Sequence, residues 1–224
     1  MSFDRVAGSY RILERLAFAN ALQRARTALI AETHTSKHAL VVGEGDGRFV
    51  TELMRVNRSI EIDCVDASGK MLALAQKRVF AIPRTQRDFT SADKGDRSRV
   101  QFHHADILGW SLPRARYDLI VTHFFLDCFD HEQLPTVIAK LERAAAPNAK
   151  WLIADFRIPS DGIAKVHAKI WLRVMYSFFA LSARLRVAEL VDPSPILESV
   201  GFQLHGQIFS RFGLIKSQLW QRAA

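Results

Sequence analysis

HALVVGEGDGRF, residues 38–49, is a short apolar run that closes on alternating glycines and then turns into a helical pattern. Ala39, Leu40, Val41 and Val42 read as a buried parallel strand, because a strand covered on both faces is continuously apolar rather than alternating. Gly43, Gly45 and Gly47 let the backbone turn tightly and approach a ligand where a Cβ collides. A helix starting near Asp46 then offers its N-terminus to that ligand. These features form a nucleotide-type cofactor loop, with a purely structural turn as the alternative. The dinucleotide fingerprint G-x-G-x-x-G requires glycine at position 48, where the chain has Arg48, which argues against a nicotinamide-dependent oxidoreductase.

Ile60 to Val65 alternates as a strand does and ends on Asp66, nineteen residues beyond Gly47. In a doubly wound sheet, an acid there lies beside the glycine loop and accepts hydrogen bonds from both hydroxyls of a ribose. A strand-end or helix-capping Asp is the plainer reading. Ser68 to Val79 reads as a helix, with Met71 early enough to touch an adenine. A third strand, Val100 to His104, leads into Ala105-Asp106-Ile107, where Asp106 can accept from an adenine amino group and Ile107 can pack on the ring. Each residue alone has an ordinary structural explanation, whereas the set in this order does not.

On these residues the chain resembles the class I S-adenosylmethionine-dependent methyltransferases over nearly all of its length. The glycine loop is similar to their first motif, Asp66 to the ribose-binding acid, Asp106-Ile107 to the adenine-binding pair and Tyr117 to Val121 to their fourth strand. Phe3 to Tyr10 resembles the opening of the ubiquinone/menaquinone-type enzymes, which places Tyr10 near the methionine end of the cofactor. Ala154-Asp155-Phe156-Arg157-Ile158-Pro159 is similar to the acid-Phe-x-x-Pro stretch after their fifth strand. The resemblance implies S-adenosylmethionine as cofactor and S-adenosylhomocysteine as product, with no metal. The cofactor contacts are then Tyr10, Gly43, Glu44, Gly45, Asp46, Gly47, Asp66, Ala67, Met71, Asp106, Ile107 and Thr122. One departure stands out: the family places an acid two residues before the first glycine, and this chain has Val41, leaving Glu44 or Asp46 to compensate.

The implied fold is an α/β, Rossmann-like methyltransferase sheet of seven strands, order 3-2-1-4-5-7-6, with strand 7 antiparallel and helices on both faces. Pro193 to Val200 reads as a helix ended by Gly201, and Phe202–Phe209 and Leu214–Trp220 as the closing pair around a turn at Arg211-Phe212-Gly213. At 224 residues and 49% hydrophobic content, the chain is expected to form one domain over 1–224, with an N-terminal helical segment at about 3–32. Cys64 and Cys128 are too few for a disulfide framework and are expected reduced; no signal-type region or 18-residue apolar window is present, so a cytoplasmic protein is expected.

The net charge of +8 admits nucleic acid, an anionic membrane or an acidic substrate. The Asn/Asp-Pro-Pro-aromatic signature of base and glutamine methylation is absent after the fourth strand, where Thr122-His123-Phe124-Phe125 stands, and the basic stretch 84–99 is interspersed with Asp88, Asp93 and Asp96. Nucleic acid is therefore not the expected partner. From Ile163 to Leu185 apolar residues recur at helical spacing while Lys165, Lys169 and Arg173 mark another face. By resemblance this is a helical lid, at about 160–190, over an apolar acceptor pocket; an ordinary covering helix and a peripheral membrane contact through 163–186 are the alternatives.

Catalytic candidates belong at the C-terminal strand ends. His123 follows the fourth strand and titrates near neutrality, so it is the first choice of base, with a packed structural histidine as the alternative. Asp127 lies one helical turn further and either orients His123 or caps a helix, while Asp155 is placed to bind acceptor or water. The sequence thus predicts methyl transfer to an O, C or N atom of an apolar small molecule, such as a quinone precursor, polyketide or lipid-like phenol. The competing readings are an RNA methyltransferase and a non-catalytic, cofactor-binding partner subunit.

Overall fold

A computed structural model describes residues 21–81, 99–158 and 190–223. Tyr10, the first part of the expected N-terminal helical segment and the expected lid lie outside the described residues.

Each expected strand forms. They are β1 (His38–Val42), β2 (Glu61–Asp66), β3 (Val100–His104), β4 (Tyr117–His123), β5 (Ala145–Phe156), β6 (Phe202–Ser210) and β7 (Ile215–Arg222). They make one seven-stranded sheet in the order β3-β2-β1-β4-β5-β7-β6, as the resemblance implied. β1 pairs in parallel with β2 and β4, while β7 runs antiparallel between β5 and β6. Chain order reverses between β1 and β4, so the crevice outside their C-terminal ends is where a ligand seats in a sheet of this kind.

The helices are α1 (Ala21–Thr27), α2 (Arg48–Val56), α3 (Gly69–Phe80), α4 (Gln133–Ala144) and α5 (Ser194–Ser199). Leu40, Val42, Ile120, Trp151 and Ile153 pack on Leu134, Val137, Ile138 and Leu141 of α4. From the opposite face Ala39, Val41, Leu119, Val121 and Leu152 pack on Phe49, Val50 and Leu53 of α2 and on Leu72 and Val79 of α3. Alternate residues of one strand therefore enter two different cores, which is why the strand reads as continuously apolar.

Two acids in this frame are paired. The Asp118 carboxylate accepts from the backbone N–H groups of Lys37 and His38 at 2.8–3.0 Å, fixing the start of β1 beside β4. Asp63 on β2 accepts from the Tyr117 hydroxyl at 2.9 Å and pairs with His103 Nε2 at 2.7 Å. Both cysteines are free thiols.

β4 extends through Thr122 and His123, which register with Ile153 and Ala154 of β5. The Thr122 hydroxyl is fully buried and accepts from the Trp151 indole N–H at 2.9 Å, while the Trp151 ring stands edge-on to Phe202. That places an expected cofactor contact inside the core. Thr122→Val keeps the shape but strands the indole N–H, so we expect it to cost about 1–3 kcal/mol, read from urea unfolding. Cofactor affinity of the folded variant should match the parent.

Candidate cofactor and acceptor site

The loop after β1 is held by three glycines with left-handed backbone, φ 68° at Gly43, 74° at Gly45 and 82° at Gly47. A Cβ at Gly43 would lie 2.5 Å from Phe125 Cδ2, and one at Gly47 would lie 2.7 Å from the Ala75 Cα. The first glycine thus seats the loop against the β4 loop, and the last against α3. At Gly45 a Cβ would meet only Met71 Cε at 3.4 Å, so this is where the loop is open to a ligand.

Asp66 ends β2 beside that opening. Its Oδ2 accepts from Gly45 N–H at 3.1 Å and its Oδ1 from Ser68 N–H at 2.8 Å, so the carboxylate is fixed by backbone donors and remains partly exposed. Ala67 is exposed and Met71 half-buried in the first turn of α3, whose N-terminus Ser68 caps by accepting from Met71 N–H. Asp106 is exposed just beyond β3 and accepts from Leu108 N–H at 3.0 Å. Ile107 is buried with Val42 and Val65, so its side chain belongs mainly to the core.

Glu44 and Asp46 take structural positions. The Glu44 Oε1 accepts from Phe49 N–H at 2.8 Å and Val50 N–H at 3.3 Å, capping α2 from within the loop. Asp46 Oδ2 pairs with Arg78 at 2.9 Å and Arg48 at 3.1 Å, latching the loop to α3. Glu44 or Asp46 was expected to compensate for the acid absent at Val41; Glu44 instead bonds the first turn of α2, and Asp46 bonds the arginines of α2 and α3.

The acid–base candidates separate across the sheet. His123 is buried, edge-on to Phe49 at 4.6 Å, and its Nδ1 has no hydrogen-bond partner among the described residues. Burial, reinforced by the Arg26 charge, holds its pKa well below the usual range, so the ring is neutral and weakly basic. Asp155 shares the opposite face with Trp151 and Ile153. Asp127 lies in the 3-10 turn Leu126–Cys128, takes the Cys128 thiol at 3.7 Å rather than His123, and is pushed by burial up to about 6. The expected helical relation between His123 and Asp127 fails because the chain leaves β4 through Phe124 at φ 53°, a left-handed turn. Cys128, in that turn, was not anticipated as a neighbour of these acids.

Residues 39–148 match the family model described as a methyltransferase domain. No curated protein sequence matches the chain. Among solved structures, mitomycin 7-O-methyltransferase is similar over 100% of this chain and 61% of its own, at 14% identity and TM-score 0.67. An O-methyltransferase family protein from Burkholderia thailandensis is similar over 98% and 62%, at 16% identity and TM-score 0.65. The N-methyltransferase NodS from Bradyrhizobium japonicum, solved with S-adenosylhomocysteine, is similar over 91% and 84%, at 13% identity and TM-score 0.59. The chain thus spans about three fifths of the length of the first two.

The buried cap at Glu44 sets a pH response. Burial pushes its carboxyl from 4.5 up to about 7, against the opposing Arg26 charge and the Phe49 and Val50 donors and with a smaller push from Asp46. A folded-state value above the unfolded one means that this group favours the fold below about 4.5 and penalises it progressively as pH rises to about 7. Glu44→Gln keeps an acceptor oxygen but cannot ionise. We expect urea titrations to show the parent losing about 3 kcal/mol more than the variant over that window.

Proposed function

We propose, on the premise that residues 39–148 are a class I S-adenosylmethionine-dependent methyltransferase domain, that the chain transfers a methyl group to an O, C or N atom of an apolar small molecule. The observation that carries the reading is Asp66, held by Gly45 and Ser68 N–H groups at the end of β2, across from an open glycine at the point where strand order reverses.

The residues present fit the cofactor. Asp66 would hold the ribose hydroxyls, Met71 and Asp106 would flank the adenine, and the Gly43–Gly47 backbone would hold the amino-acid end. When bound, the cofactor supplies a methyl group already activated on a sulfonium. The protein's own task is then alignment, exclusion of water and, for an acceptor that must lose a proton, a base. Phe125, packed on Gly43, and Phe124, tilted against Phe156 at 5.0 Å, give the crevice an apolar wall on the β4 side. His123, neutral and turned to Phe49, is better suited to packing than to proton abstraction.

This wall supports an apolar acceptor, and the likeness in fold to mitomycin 7-O-methyltransferase supports a small-molecule one. Among the described residues no group of three metal-ligating side chains forms, and no helix is long and apolar enough to cross a membrane.

Isothermal titration with S-adenosylhomocysteine tests the reading, with NADH as comparison. We expect binding of the first alone. Asp66→Ala should weaken it by roughly 30-fold or more, the loss of charge-assisted ribose contacts worth about 2–3 kcal/mol. Unchanged affinity in a folded Asp66→Ala protein would remove Asp66 from the site.

A further inference from the structure

Asp155 lies one residue from the end of β5, is 2% exposed, and neither of its carboxyl oxygens has a hydrogen-bond partner among the described residues. The backbone N–H groups of Phe125 and Phe124 approach it and oppose the effect of burial without completing a hydrogen bond, and that of Phe124 donates to Ala154 O. A buried carboxyl whose oxygens complete no hydrogen bond costs folding free energy, and a native chain that retains one does so where a ligand or a function supplies the missing partner. The charged groups that act on it are otherwise engaged or of its own sign. Lys216 sits opposite Asp155 in the β5–β7 register, but its ammonium bonds Asp192 at 2.8 Å. Asp127 acts on Asp155 from the turn after β4, and its carboxyl takes the weak thiol donor of Cys128 at 3.7 Å and its own backbone N–H.

The pair lies on the C-terminal rim of the sheet, Asp155 near the end of β5 and Asp127 in the turn after β4, the rim on which Asp66 ends β2. The Cys128 thiol, 3.7 Å from Asp127 Oδ1, is raised by burial and by the charges of Asp127, Asp155 and Asp66. Asp66 is the acid assigned above to the ribose.

We propose that Asp127 and Asp155 form the acceptor subsite and that the acceptor is an amine, whose ammonium group the pair binds and whose proton it takes. The proposal rests on the methyl-transfer reading above. Two neighbouring carboxyls, Asp155 buried and Asp127 half-buried, share a proton because both cannot ionise without a cation between them. An ammonium is that cation. Deprotonating it leaves two neutral partners, whereas deprotonating a phenol only moves the pair's negative charge onto a phenolate in the same low-dielectric site. Lys216, the cation that acts on Asp155, is held by Asp192 and so is not turned to such an anion.

The step balances. The pair, carrying one proton and one negative charge, accepts a second proton from R–NH3+ and becomes neutral. The freed nitrogen lone pair then forms the N–CH3 bond as the methyl–sulfur bond breaks, its electrons remaining on sulfur as the thioether. The product leaves as R–NH2CH3+, and the pair returns its extra proton to solvent.

The test is a titration of the full chain, saturated with S-adenosylhomocysteine, with a series of arylalkyl amines of one to three rings, each against its alcohol isostere. We expect amines to bind at least tenfold more tightly than the alcohols. Asp155→Asn should erase that preference and lower amine kcat/KM at least a hundredfold while leaving S-adenosylhomocysteine affinity within twofold. Asp127→Asn provides the same comparison should Asp155→Asn not fold. Equal binding of amines and alcohols, preferential methylation of phenols, a preference that survives in both variants, or a variant that loses cofactor affinity instead would each overturn the proposal. Failure of the parent to bind S-adenosylhomocysteine is seen before any amine is added, and overturns the methyl-transfer reading together with this one.

Discussion

The site depends on the contact between Gly43 and Phe125. With a Cβ at position 43 only 2.5 Å from the Phe125 ring, the loops after β1 and β4 approach more closely than any side chain at 43 allows. These loops flank the place where strand order reverses, so their contact fixes the floor of the crevice. The rest of the loop follows from that anchor. Gly47 repeats the device against Ala75, and between the two anchors Gly45 is left facing Asp66 and Met71. Phe124, held in the left-handed region although it is not glycine, is the corresponding strained element on the β4 side. Its N–H donates to Ala154 O, and the Arg26 guanidinium lies 5.2 Å over its ring, so the strain is held from both directions.

Buried acids are distributed unevenly around this floor. Asp46 has two arginines, Asp63 has Tyr117, His103 and Arg116, and Glu44 has two backbone donors and the charge of Arg26. In each case the fold supplies the partner, as burial requires. Asp155 departs from the pattern although it is as deeply buried as any of them. The difference separates acids that hold the loop in place from an acid kept for something that arrives later.

What the sequence made legible follows from what repeats. β1 could be read because burial on both faces leaves an unbroken apolar run, and Asp66 because its distance from the glycines follows from one helix and two strand ends. Strand order came from resemblance, since periodicity says nothing about which strand inserts beside β5. Side-chain direction on the glycine loop was not legible, because left-handed residues break the alternation that tells inward from outward. Glu44 and Asp46 were therefore placed on the ligand side when they cap and latch the loop. His123 and Asp155 share a rim in chain order yet lie on opposite faces of the sheet, as residue parity along paired strands dictates once the register is known. The proximity of Asp127 to Asp155 joins a turn after one strand to the end of the next, a relation no local pattern encodes.

The acid pair also meets an electrostatic demand of methyl transfer to nitrogen. A sulfonium and an ammonium in one crevice repel, by about 3 kcal/mol at a separation of about 5 Å and an effective dielectric near 20. The nitrogen must nevertheless close to bonding distance from the methyl carbon, where the repulsion is larger. A carboxyl pair with one buried member offsets the second cation on entry and then removes it by taking its proton, so that repulsion disappears at the step where it is most costly. The same pair returned to solvent would be screened and would titrate as ordinary carboxylates, too weak to abstract that proton. Burial of Asp155 without fixed partners is thus the condition under which an acid side chain can serve as acceptor site and base together.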